Sequence, residues 1–209
     1  MAWSSLGHGL LLTLGLIGLA FAGALALGML LAVCRISPVP PLRAAATGYV
    51  TVFRNVPLLV LLVLFTFGLP NVGLLLPLFA NAALAMALYW AAFVCEVVRS
   101  GVRTVPRGQV EAARALGMTF RQILGQVVLP QALRAMVQPL ANVFIGTALS
   151  TSLAAAAGVP EITTWYENQA NLADAPITAF AVISAIYVAI TLTSGLLAGR
   201  IERKVAIRR

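Results

Sequence analysis

The segment Gly108–Pro130, GQVEAARALGMTFRQILGQVVLP, contains arginine, glutamate and several glutamines in a chain that is otherwise largely apolar. Pro106-Arg107-Gly108 precedes a strongly helical pattern, in which Glu111 suits the positive end of the helix dipole and the alanines favour helix. Gly117 is expected to end this helix, and a second short helix, from about Thr119 to Gln126, is expected to return the chain to Leu129-Pro130. Small alanine side chains allow close approach of a partner, so the segment is predicted to dock into a groove of another protein.

The composition is that of an integral membrane protein. The 209 residues are 61% hydrophobic and only 10% charged, whereas soluble domains are about 45–50% apolar and about 25% charged. The net charge of +8 does not indicate nucleic-acid binding, because the basic residues lie between and after apolar runs instead of forming one patch. Cys34, Cys95 and His8 lack the spacing of metal ligands, so no metal site is expected.

Five apolar runs are long enough to cross a bilayer, which takes about 20 residues in a helix. They cover about 9–33, 45–69, 77–98, 128–150 and 176–199. The second run is interrupted by Arg54-Asn55 and by Pro57, which is expected to kink the helix. The prediction is an all-α membrane protein with five transmembrane helices and no separate soluble domain, so that 1–209 form a single transmembrane domain.

The charges between the runs predict the orientation. Basic residues follow the first, third and fifth runs: Arg35, Arg43, Arg99, Arg103, Arg107, Arg114, Arg121, Arg200, Arg203, Lys204, Arg208 and Arg209. Residues 70–76 carry no charge, and residues 151–175 carry only Glu161, Glu167 and Asp174. Because basic connections face the cytoplasm, the N-terminus is predicted to lie outside and the C-terminus in the cytoplasm. Residues 99–127 would then be a cytoplasmic loop and residues 151–175 an extracytoplasmic loop.

The polar segment resembles the EAA loop of bacterial ABC importer permeases. The matching positions are Glu111-Ala112-Ala113, Gly117 and Leu129-Pro130, with Val127 where the family usually has isoleucine. In that family the loop forms a coupling helix that rests in a cleft of the cytoplasmic ATPase. The resemblance therefore implies that contact with an ATPase is made by Glu111, Ala112, Ala113, Leu116 and Gly117.

The resemblance extends over nearly the whole chain and points to permeases for polar amino acids. The segments that carry it are FRNVPLLVLLVLFTFGLP (53–70), FVCEVVRSGVRTVPRGQVEAARALG (93–117), VVLPQALRAMVQPLANVFI (127–145) and TSLAAAAGVPE (151–161). Phe93 and Cys95 depart from the family tyrosine and alanine. More narrowly, RISPVPPLR (35–43), RSG (99–101) and YENQAN (166–171) resemble the glutamate-uptake permeases of actinobacteria.

This resemblance implies the type I ABC importer permease fold in the bacterial plasma membrane. It also implies two ATPase subunits that bind ATP and Mg, a second permease that is a different chain, and an extracytoplasmic substrate-binding protein. The implied substrate is L-glutamate, while glutamine, aspartate and basic amino acids remain alternatives. The chain itself has no P-loop pattern and no nucleophile or acid/base set, so it is expected to be neither an enzyme nor a cofactor-binding protein. A channel or carrier that works without ATP and a membrane scaffold are the alternative classes.

Arg54 and Glu96 fall within predicted spans, where an unpaired charge is costly. One interpretation is a structural ion pair between Arg54 and Glu96. The other is that Arg54 attracts a substrate carboxylate, which its planar guanidinium can grip with two hydrogen bonds. The candidates for a substrate path are Arg54, Asn55, Gln138, Asn142, Thr151 and Ser152. The polar residues of the fourth run could instead make interhelical hydrogen bonds.

The outer segment 158–175 also has two interpretations. Trp165 and Tyr166 could form an interfacial belt, where such rings commonly lie. The family resemblance implies instead a docking surface for a substrate-binding protein, and both can hold together.

Overall fold

The computed structural model describes residues 3–172 and 176–205, and it is helical throughout these ranges apart from short connections. Asp174, Arg208 and Arg209, which entered the orientation prediction, lie outside the described residues. Four helices are long and apolar enough to cross a bilayer, and a fifth span is obtained within the described residues if one sharply bent pair is counted as a single crossing.

Helix α1 (Trp3–Ile36) and helix α4 (Leu78–Arg103) form the central helix pair of the bundle. Their close approach depends on small residues. A Cβ added at Gly28 of α1 would lie 2.5 Å from the Cβ of Val94 in α4, so only glycine permits this spacing. The main core cluster lies at this contact and includes Leu16, Leu62 and Met86.

The second apolar run is broken rather than kinked. Helix α2 (Pro40–Asn55) and helix α3 (Leu58–Val63), which continues as a π turn and a 3₁₀ turn to Val72, are bent by 101°. Val56 and Pro57 between them have extended backbones, with ψ of 131° and 135°. A residue before proline is disfavoured in the helical region, so Val56 ends α2 outright and the expectation of one kinked helix over 45–69 was wrong.

The polar segment folds as helix α5 (Arg107–Ala115), a turn at Gly117 and helix α6 (Phe120–Gln122). The expected second helix begins at Phe120, beside the predicted Thr119, but its expected end near Gln126 was wrong, because α6 continues through a π turn (Ile123–Val128) into helix α7 (Leu129–Ser150) and a 3₁₀ turn (Thr151–Ala157). Pro130 has no N–H to donate to the preceding turn, and the wider π turn directly before α7 accommodates this loss.

Helix α8 (Ile162–Leu172) and helix α9 (Pro176–Val205) complete the fold. Helix α9 packs mainly on α7, while α8 packs on α9 and α1. Residues 151–175 were predicted to form an extracytoplasmic loop. The described part of this segment is mostly helical. Trp165 is only 4% exposed and belongs to a core cluster with Ile162 and Ile183, so of the two interpretations of this segment the interfacial belt does not account for its side chain. Tyr166 is partly buried at the edge of the same cluster.

Candidate functional site

Helix α5 has a well-defined end that positions its tip. Gly117 has a φ of 75°, the left-handed region that favours glycine. The N–H of Gly117 donates to Arg114 O at 2.9 Å and that of Met118 donates to Ala113 O at 3.2 Å. This pair of bonds is the Schellman motif, which satisfies the last carbonyls of α5 and turns the chain back sharply, as the sequence predicted.

The five predicted coupling residues on and after α5 differ in their exposure. Leu116 is 82% exposed, and Glu111, Ala112 and Gly117 are also exposed. Ala113 is only 5% exposed, so it packs inward instead of presenting its side chain to a partner.

Helix α5 is held against the start of the long helix behind it. A capping box at Thr119 starts α6, with the Gln122 N–H donating to Thr119 Oγ1 at 3.4 Å and the Thr119 N–H donating to Gln122 Oε1 at 2.8 Å. The Nε2 of Gln131 in α7 donates to Gln109 Oε1 in α5 at 2.7 Å. The contact between Gln109 and Gln131 therefore joins α5 to α7 in addition to the chain turn at Gly117.

Glu96 of α4 is surrounded by three arginines. It accepts a hydrogen bond from Arg35 of α1, and Arg99 donates to Glu96 Oε2 from Nη2 at 2.9 Å and from Nε at 3.1 Å. Arg54 of α2 is farther away, with Nη1 3.6 Å from Glu96 Oε1, and its guanidinium also lies 5.5 Å from the centre of the Phe93 ring. The structure thus brings Arg54 and Glu96 together, but Arg35 and Arg99 make the closer contacts.

Sequence reasoning missed Arg35 and Arg99 as partners of Glu96. Arg99 carried a signal, because residues three apart on a helix are neighbours. Arg35 carried none, since it lies on another helix and its sequence context is that of a cytoplasmic loop.

Two polar cavities adjoin this cluster. One, of about 570 Å³, opens between α4 and α7 and is lined by Arg54, Glu96, Arg99 and Arg103, with Pro139 on the α7 side. The other, of about 320 Å³, is lined by Arg35, Thr51, Arg54, Asn55 and Glu96, among others. Arg54 and Asn55 therefore border open space, and the positive charges around both cavities outnumber the single carboxylate of Glu96.

The other path candidates divide along α7. Gln138 and Asn142 are exposed and lie four residues apart on one helical face. Thr151 is fully buried at the far end, where its hydroxyl donates to Ala148 O at 2.7 Å and lies 3.1 Å from Tyr187 Oη. Ser152 is partly exposed and donates to Leu149 O at 2.8 Å. The structure does not bring Thr151 and Ser152 together with Arg54.

A second buried carboxylate lies at the same far end as Thr151. Glu161 is 1% exposed and accepts hydrogen bonds from Thr163 N at 2.7 Å, Tyr187 Oη at 3.1 Å and Thr13 Oγ1 at 3.3 Å. Burial raises the pKa of this carboxyl above its usual value, although these donors oppose the effect. No signal in the sequence indicated this burial, because Glu161 precedes two other acidic residues in a segment that resembles a polar loop.

Comparison with known proteins places these features in a family. The profile of the family described as "binding-protein-dependent transport system inner membrane component" matches residues 24–207. The glutamate transport system permease protein of Corynebacterium efficiens is 36% identical over 227 residues, covering 99% of this chain and 98% of the relative. The "Probable glutamine ABC transporter permease protein" of Bacillus subtilis is 41% identical over 135 residues, covering 65% of this chain and 62% of the relative.

A solved structure extends the similarity to the fold. The crystal structure of an amino acid ABC transporter with histidines contains a chain that superposes with a TM-score of 0.89 at 32% identity, covering 96% of this chain and 94% of that one. The type I ABC importer permease fold expected from the sequence is thereby confirmed, and a channel or carrier that works without ATP is not supported. The chain belongs to the family of binding-protein-dependent transport system inner membrane components, as the permease subunit of an amino-acid ABC importer in which a separate ATPase hydrolyses ATP.

Proposed function

We propose that the chain is a permease subunit for L-glutamate. The observation that carries this proposal is the excess of arginine over carboxylate around the two polar cavities. Arg35, Arg54 and Arg99 surround Glu96, and Arg103 lines the larger cavity. Glutamate carries one more carboxylate than ammonium groups, so a cavity with net positive charge favours it over a neutral or basic amino acid. The relative from Corynebacterium efficiens, which matches over nearly its whole length, supports the same substrate.

Arg54 is the arginine best suited to meet a passing carboxylate. Its side chain is 46% exposed, against 14% for Arg35 and 29% for Arg99, and it is the most distant of the three from Glu96. Its guanidinium can therefore turn to a substrate while Arg35 and Arg99 continue to neutralise Glu96. Asn55 beside it, and Gln138 and Asn142 on the exposed face of α7, are proposed as further polar contacts of the path.

The remaining parts of the mechanism follow from the exposed surfaces. The N-terminus is proposed to lie outside and α5 in the cytoplasm, where the helix tip at Leu116 and the exposed side of Glu111 and Ala112 would rest on one of two ATPase subunits. Movement of α5 would pass to α7 through Gln109 and Gln131. A second permease, a different chain, would cover the face of α7 that carries Gln138 and Asn142, and the binding protein would dock near α8.

The test is uptake of labelled glutamate into proteoliposomes that contain the complete importer, with the binding protein outside and ATP inside. We expect ATP-dependent accumulation that excess unlabelled glutamate blocks and excess glutamine does not. Arg54→Gln should raise KM for glutamate about tenfold, the effect of losing one charge-assisted hydrogen bond. Arg43→Gln, also in α2 and exposed, removes the same charge away from the cavities and should leave KM unchanged.

Glutamine is the second candidate, favoured by the similarity to the Bacillus subtilis protein. Glutamine keeps its α-carboxylate but has no net charge, so cavities with net positive charge should not favour it over glutamate. ATP-dependent accumulation of glutamine that excess glutamate does not block would replace glutamate as the proposed substrate and leave the importer family unaffected.

A further inference from the structure

An apolar groove lies between α1, α7 and α9, away from the polar cavities beside Arg54. Its volume is about 420 Å³, within the range of sites for small apolar ligands. Its walls include Phe21, Leu25, Leu140, Phe144, Leu197 and Ile201. Ser194 is the one lining residue with a polar side chain, and its hydroxyl already donates to Ile190 O at 2.6 Å. The groove therefore offers shape and apolar surface, but no polar group for an amino acid.

Two basic residues, one on α7 and one on α9, lie about one helical turn beyond the lining residues at one end of this groove. Arg134 precedes the lining residue Val137 by three positions on α7, and Lys204 follows Ile201 by three positions on α9. At this spacing each cation lies on the same helical face as the lining residue. Arg134 and Lys204 both lie at the end of the bundle where α5 is found, because α7 begins at that end and α9 ends at it.

One hydrogen-bond donor of Arg134 has no acceptor among the described residues. Its Nε is buried, and no described residue accepts a hydrogen bond from it. Buried polar atoms are rarely left unpaired, and the described residues do not supply the acceptor that Arg134 Nε needs. Glu202, the carboxylate in the last turn of α9, is exposed and makes no ion pair among the described residues.

We propose that the groove between α1, α7 and α9 binds one anionic phospholipid, with an acyl chain along the apolar walls and the headgroup phosphate between Arg134 and Lys204. The apolar walls of the groove suit the acyl chain of such a lipid, and the cations at one end suit its phosphate. Basic sites between transmembrane helices on the cytoplasmic side bind anionic headgroups in this way. The lipid belongs to the leaflet on the α5 side, which the proposed orientation assigns to the cytoplasm.

The test is native mass spectrometry of the complete importer, titrated with phosphatidylglycerol or with zwitterionic phosphatidylcholine. We expect one phosphatidylglycerol per copy of this chain to bind more tightly than phosphatidylcholine. Arg134→Gln should weaken phosphatidylglycerol about fivefold, since a basic residue contributes about 1 kcal/mol to binding of an anionic lipid surface. Arg43→Gln, an exposed arginine at the same end of the bundle but outside the groove, is the matched control and should change nothing.

A second variant tests the acyl-chain half of the site. Ala141→Phe narrows the groove without changing charge and should lower binding of phosphatidylglycerol at least as strongly as Arg134→Gln. If this variant fails to assemble, the comparison of Arg134→Gln with Arg43→Gln still decides. Equal binding of the two lipids by the wild type, or equal losses in Arg134→Gln and Arg43→Gln, would overturn the proposal. Unchanged binding in an assembled Ala141→Phe importer would also overturn it, because the lipid would then bind outside the groove.

Discussion

Removing the carboxylate of Glu96 should destabilise the bundle more than any other single charge change in the described part of the chain. Glu96→Gln leaves Arg35 and Arg99 facing each other without the negative charge between them, since the amide oxygen of glutamine accepts hydrogen bonds but carries no charge, and the Arg35 side chain is only 14% exposed. Breaking a buried ion pair costs about 3–5 kcal/mol. Because the Glu96 side chain is 21% exposed, we expect the lower end of this range, about 3 kcal/mol.

The three arginines should not share this energy equally. Arg35 donates directly to Glu96 and is the most buried of the three, so the coupling between Arg35 and Glu96 should reach about 2 kcal/mol. Arg54 stands 3.6 Å from Glu96 and is 46% exposed, so its coupling should stay below about 0.5 kcal/mol, as for surface pairs. Arg99 lies between these limits in both distance and exposure.

Double-mutant cycles measure these couplings directly. The single changes Arg35→Gln, Arg54→Gln and Glu96→Gln and the two double variants would be unfolded with SDS in mixed micelles, within the purified importer. If the coupling energy of Arg54 with Glu96 were as large as that of Arg35 with Glu96, the assignment of Arg54 to the substrate would be refuted. The interpretation of Arg54 and Glu96 as a structural ion pair would then be correct. A negligible coupling for both would show that Glu96 does not hold α1 to α4.

Two further predictions concern the ends of the bundle. Gly117→Pro and Glu111→Arg should each leave membrane insertion intact but uncouple ATP hydrolysis from uptake. The first breaks the turn after α5, and the second reverses a charge on the exposed side of α5. The measurement is uptake per ATP hydrolysed in proteoliposomes, and normal transport in both variants would contradict the prediction. Burial raises the pKa of Glu161 above its usual value of 4.5, so the folded state binds the proton more tightly than the unfolded state, and the stability that this binding contributes is present below pH 4.5 and lost as pH rises through the raised pKa. Glu161→Gln should therefore flatten the dependence of Tm on pH above 4.5 in detergent, and an unchanged slope would show that another group controls it.

Local signals in the sequence predicted α5 well. The start after Pro106, the end at Gly117 and the exposed tip all depend on residues within a few positions of one another, and the structure agrees with each. The apolar runs likewise predicted the long helices, because hydropathy over about 20 residues is a property of the segment alone. What failed was the continuity of helices across prolines. Pro57 follows a residue that has left the helix, whereas Pro130 is absorbed by a π turn, and nothing in the two local sequences tells these outcomes apart.

The contact of Arg35 with Glu96 and the burial of Glu161 and Trp165 could not have come from the sequence, because each depends on which helices lie side by side. Arg35 reaches Glu96 only because α1 runs along α4 at a distance that Gly28 permits. The same helix contributes Thr13 to Glu161 near its other end. Helix α1 thus contacts a carboxylate near each end of the bundle, through Arg35 at the α5 side and Thr13 at the far side. In the coupling that we propose, a movement of α5 reaches α7 through the contact between Gln109 and Gln131, while Arg35 and Thr13 hold α1 to Glu96 and Glu161.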